Sequence, residues 1–94
     1  MNENKLFELL DDLGVEHIGE FKDYKYTIIL KDSQDYARYF TKLDRYENLH
    51  EVDRKSMGNE FLCVLCYMND NFKVTLNGNF NDNYYTFVVE EINE

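Results

Sequence analysis

The residues best equipped for chemistry are Cys63 and Cys66, in the run FLCVLCYM at 61–68. A Cys-x-x-Cys can supply half of a zinc site, or cycle between dithiol and disulfide at a helix N-terminus. Both uses need the two sulfurs on one side of the backbone. The run has no Gly, Pro or capping residue nearby and reads as a strand, in which positions three apart point to opposite faces. The histidines, His17 and His50, are isolated from each other and from the cysteines. The expectation is two small buried hydrophobes, with no metal and no cofactor.

Other sets are weaker. Asn79, Asn81, Asn83 and Glu90 mimic the ligand positions of a calcium loop. The first ligand would be Asn instead of Asp, however, and Tyr84 stands where that loop needs Gly. A polar hairpin loop accounts for the same residues. His17 beside Glu16, and His50 beside Glu51 and Asp53, could tune a general base, but no nucleophile or oxyanion motif accompanies either. Gly14, Gly19, Gly58 and Gly78 stand alone, so no phosphate-binding glycine pattern exists. Arg38, Lys42 and Arg45 could line a phosphate beside Tyr39 and Tyr46. With Asp35 and Asp44 interleaved, they read instead as a mixed, solvated helix face. No catalytic set can be assembled, and the chain is read as a non-enzyme.

Charge is the strongest global feature. Nineteen acids against ten bases give −9, with a pI near 4.6. Residues 1–24 hold seven acids and two bases, 25–59 six and seven, and 60–94 six and one. Such a chain repels phosphate backbones and anionic membranes, so a basic protein is the expected partner, with no direct nucleic acid and no membrane. The carboxylates expected to meet it are Glu8, Asp11 and Asp12 on the first helix, Glu16, Glu20 and Asp23 after it, and Glu90 and Glu91, followed by Glu94, at the end. Carboxylates one helical turn or two strand positions apart are separated by about 5–7 Å. That compares with one or two phosphate steps of DNA, so a rigid acidic surface can fill a basic groove made for nucleic acid. The plainer alternative is that these acids only keep a small protein soluble.

These side chains must be positioned by regular elements. Leu6, Leu9, Leu10 and Leu13 recur at helical spacing, with Asn2 or Asn4 as cap and Gly14 as stop, which predicts a helix near 4–13. EHIGEFKDYKYTIILK predicts a hairpin, its second strand alternating Tyr24, Tyr26, Ile28 and Leu30 against polar residues. The turn at Lys22-Asp23 lacks the usual Gly. Asp32 or Ser33 caps a second helix, buried through Tyr36, Tyr39, Phe40 and Leu43 and ending near 46–48. Strands are predicted at Leu49–Arg54, Glu60–Met68, Phe72–Leu76 and Tyr84–Ile92, with turns at SMGN, MNDN and GNFNDN. The last turn falls at Asn77-Gly78 or at 81–83. The predicted architecture is α+β: an antiparallel or mixed sheet of four to six strands, two helices on one face, in one compact domain over 1–94. A parallel pair could flank the second helix.

With 94 residues, 44% of them hydrophobic and 16% aromatic, the chain is large enough for one core. Its acidic start, MNENKLFELLDD, is unlike a secretory signal, and the longest apolar run of eight residues is too short to cross a bilayer. Two cysteines without an export signal suggest reduced thiols in a cytoplasm, the host's if the gene is a phage's. In composition alone (eleven Asn, no Trp, no Pro, excess acid) the chain resembles small phage-encoded anti-defence proteins, including DNA mimics and anti-CRISPRs. That resemblance implies an inhibitor of a basic nucleic-acid-binding effector or nuclease. Two further readings stand beside it. One is an immunity protein or antitoxin against a basic toxin. The other is a structural, homodimerising domain, since eight Tyr are more than so small a core readily holds.

Overall fold

Asn2 Oδ1 accepts from the Lys5 backbone N–H at 3.2 Å and starts α1 (Glu3–Leu13). Gly14 ends it in the left-handed region at φ 74°, where its N–H reaches the Asp11 carbonyl. Asp11 and Asp12 crowd the negative end of this helix, and no base lies in its last turn. The compensating charge comes from the second helix: Lys42 Nζ sits beside Gly14, 3.4 Å from where a β-carbon there would stand.

This computed structural model describes residues 2–58 and 61–92. Glu60 at the head of a predicted strand, Asn59 of the predicted SMGN turn and Glu94 among the acids lie outside that range. After α1 come β1 (Glu20–Lys22), β2 (Lys25–Leu30), α2 (Ser33–Arg45), β3 (His50–Met57), β4 (Leu62–Met68), β5 (Phe72–Asn79) and β6 (Tyr84–Glu91). Among the described residues this makes an α+β fold of two helices and six strands, and no helix is long and apolar enough to cross a membrane.

The β1–β2 turn uses Asp23 and Tyr24, both at positive φ (53° and 65°). That is the backbone of a type I′ turn, whose twist suits a hairpin but which normally takes Gly. Side chains of Asn close the β4–β5 and β5–β6 turns. Asn69 Oδ1 accepts from the N–H groups of Asn71 and Phe72, and Asn79 Oδ1 from those of Asn81 and Asp82. The final hairpin therefore turns at 80–83, with Asn77 and Gly78 inside β5.

The sheet order is β1-β2-β6-β5-β4-β3, and every pairing is antiparallel. The parallel pair allowed by the sequence does not form. β2 and β3 do run the same way, but α2 carries the chain four strand positions across the sheet. Its thirteen residues span about 20 Å, matching roughly 19 Å for four inter-strand steps. The meander β4-β5-β6 then fills the gap, each step needing only a short turn.

One face of the sheet is covered. Tyr26, Ile28 and Leu30 of β2, Tyr85, Phe87 and Val89 of β6, and Val74 and Leu76 of β5 are buried beneath the leucines of α1 and Tyr36, Tyr39 and Leu43 of α2. At Gly78 the sheet comes so close to α2 that a β-carbon would lie 2.8 Å from the Tyr36 ring. The other face has no covering element among the described residues.

Candidate functional site

Cys63 and Cys66 part as strand geometry requires. Cys63 pairs with Gly78, on the covered side, and packs against the core; Cys66 pairs with Thr75 on the open side. The expectation that both are buried is met only in part: each is half-buried, Cys63 against the core and Cys66 on the open face. Among the described residues no group of three or more His, Cys, Asp or Glu is placed to hold a metal ion.

The same spacing behaves differently in β3. A bulge at Val52 shifts the register between Glu51 and Asp53, so Glu51, opposite Tyr67, and Arg54, opposite Leu65, come to the same face. Arg54 then grips Glu51 through Nε at 2.7 Å and Nη2 at 2.9 Å, and its guanidinium lies 5.6 Å from the centre of the Phe40 ring. That guanidinium holds the Glu51 carboxyl below its ordinary value, and Arg54 is itself raised. His50 faces the open side, away from Glu51. His17 stacks on Phe7 with ring centres 4.7 Å apart, and its Nε2 lies 2.8 Å from Asp11 Oδ1.

Beneath α2 two phenols are held in low-dielectric surroundings. Burial pushes Tyr67 up to about 12, with Glu51 adding to the shift. It pushes Tyr36 higher still, and the neighbouring Cys63 thiol acts the same way. Neither hydroxyl makes a geometrically sound hydrogen bond to another described residue. Arg38, Lys42 and Arg45 border one shallow groove along α2, with Arg38 paired to Asp35 at 3.1 Å and Lys42 Nζ beside Gly14 at the end of α1.

The eight carboxylates singled out by sequence do not share one face. Glu8, Asp11 and Asp12 are exposed on α1. Asp11 holds His17, and Asp12 accepts from the Tyr46 hydroxyl at 3.2 Å, joining α1 to the end of α2. Glu91 lies on the helix side and accepts from the Asn2 N–H at 3.1 Å. Its sequence neighbour Glu90 points to the open face, 3.9 Å from Lys25 Nζ. Glu20 shares that open face, Asp23 sits at the hairpin tip, and Glu16 stands beside Lys31, Arg38 and Lys42.

A tighter grouping emerges at the end of the sheet that carries the β4–β5 turn. Glu8 and Asp12 line a groove with Tyr46, Asn69 and Asn71. An adjoining groove shares Asn69 and Asn71 and adds Glu47 and Asp70. Asn69 Nδ2 donates to the Asn48 carbonyl at 3.1 Å and ties the two loops together. Glu91, opposite Phe72, borders the same end. Glu47 and Asp70 escaped the sequence reading because each is a lone acid among neutral turn residues, brought near α1 only by the fold.

Comparison with protein-family models, curated proteins and solved structures finds no match to this chain.

Proposed function

We propose that the protein is a non-enzymatic inhibitor that sets this acidic end against the basic groove of a nucleic-acid-handling protein in the cytoplasm, an anti-defence role of the kind small phage proteins perform. The observation that supports it is the grouping of Glu8, Asp12, Glu47, Asp70 and Glu91 at one end of a chain carrying −9. Lys5 is the one lysine or arginine along the two grooves, among the described residues. Glu8 and Asp12 stand one helical turn apart, about 5–6 Å, on a helix that leucine packing holds rigid. Charges fixed in this way steer a cationic partner and lose their hold as salt rises.

The test is affinity capture from the host lysate at low and high salt, with duplex DNA as competitor. The expected result is capture of a basic nucleic-acid-binding protein that DNA displaces and high salt releases. A Glu8→Lys, Glu47→Lys, Asp70→Lys variant should lose it, whereas Glu20→Lys on the other face should keep it. Empty capture at low salt, or binding indifferent to the triple variant, overturns the proposal.

A further inference from the structure

β4 is apolar on both sides, yet only one side is covered. Leu65 and Tyr67 point at the helices and are buried; Leu62, Val64, Cys66 and Met68 point the other way and remain partly exposed. Strands apolar on both faces belong to sheets covered on both faces. The register extends this row across the sheet. Val88 lies beyond Thr75, which faces Cys66, and Ile29 beyond Thr86, while Met57 borders Leu62 on the outer side. Ile29 and Met57 are 64% and 55% exposed, and Tyr84, on the same face, 54%.

The charge on this face differs from the rest of the molecule. Lys22, Lys25, Lys55 and Lys73 stand against Glu20, Asp53 and Glu90, so the face is close to neutral while the whole chain carries −9. It offers a strongly charged partner nothing. A second copy could meet it without the repulsion that pairing through α1 or the acidic turn end would bring. The size is also sufficient. Six strands about 4.8 Å apart and some seven residues long, at about 3.3 Å each, make a face of roughly 24 by 23 Å. Two such faces in contact cover roughly 1,100 Å², just above the ~1,000 Å² that a specific interface needs.

We propose that the open face of the sheet is a homodimer interface, on which a second copy packs about a twofold axis through Leu62, Val64, Cys66, Val88 and Ile29. The two sheets form the centre, the helices lie outermost, and α1 of each copy faces solvent.

Sedimentation equilibrium from micromolar to millimolar protein tests this directly. The expected mass is twice 11.4 kDa, falling to 11.4 kDa in Val64→Lys and Val88→Lys variants whose circular dichroism is unchanged, while Thr41→Lys on α2 stays dimeric. A second readout serves if the lysine variants fail to fold. In a Cys63→Ser chain, Cys66 should react with a thiol reagent several-fold more slowly as concentration rises. A monomer at every concentration, a dimer that survives both lysine variants, or Cys66 reactivity independent of concentration overturns the proposal.

Discussion

Arg54 Nε lies 2.7 Å from Glu51 Oε2, an ion pair between residues three apart on one strand that only the bulge at Val52 brings to one face. Because the guanidinium favours the carboxylate, the Glu51 carboxyl titrates below the usual glutamate range. The sign follows: the stabilisation is present above the unfolded-state value and is lost as pH falls through the depressed folded-state value. NMR titration of the Glu51 side chain should show the low value in the wild type. In Arg54→Met, which keeps an apolar stem over Phe40, it should return to the ordinary range.

The phenols of Tyr36 and Tyr67 make no sound hydrogen bond to any other described residue, so their hydroxyls contribute little that a hydrogen atom would not. Tyr36→Phe and Tyr67→Phe should each be neutral or stabilising by up to about 1 kcal/mol in urea denaturation. This distinguishes them from ordinary core truncations.

The same burial makes the fold sensitive to alkali. Tyr67 is raised from 10.0 to about 12, so its neutral form is favoured by folding. Its contribution to stability is constant below pH 10 and turns increasingly unfavourable above it, by up to about 1.4 kcal/mol per pH unit until the folded-state value is passed. Stability measured across that window should fall steeply in the wild type and less steeply in the double Phe variant. Phenolate absorbance should rise together with unfolding.

Tyr24 occupies a left-handed turn position with 90% of its surface exposed, so it bears a backbone cost with little packing in return. Replacing it by Gly creates the Asp-Gly pair that type I′ turns favour. The expected gain is about 1 kcal/mol in thermal or urea unfolding.

Gly78 and Gly14 should be intolerant for different reasons. Alanine at 78 places its β-carbon 2.8 Å from the Tyr36 ring and forces α2 outward, for a loss of about 1–3 kcal/mol. Alanine at 14 meets no hard clash but must hold φ near 74°, for a loss of about 1 kcal/mol. Calorimetric melting separates the two if Gly78→Ala is the more damaging.

The helices were legible because their signals are local. The Leu6, Leu9, Leu10 and Leu13 stripe, the Asn2 and Asp32 caps and the Gly14 stop lie within one element each. The separation of Cys63 from Cys66 was legible for the same reason, since an unbulged strand imposes it. The bulge was not: nothing in HEVDR marks Val52 as the extra residue, so the Glu51–Arg54 pair stayed hidden. The strand order and the acidic end were hidden too, because Glu8, Glu47 and Asp70 become neighbours only once α2 has crossed the sheet. Tyr84 and Tyr85 fell to opposite faces as alternation demands, 54% and 1% exposed.

β6, made after every other strand, lies inside the sheet between β2 and β5. Until it arrives, the early hairpin and the β3–β4–β5 ribbon share no ladder, and Lys25 waits 65 positions for Glu90. Closure across so long a loop slows folding, in the millisecond-to-second range typical of sheets with distant pairings. During that wait both flanking edges are bare, so newly made chains are at their most vulnerable to strand exchange and proteolysis just before this strand inserts.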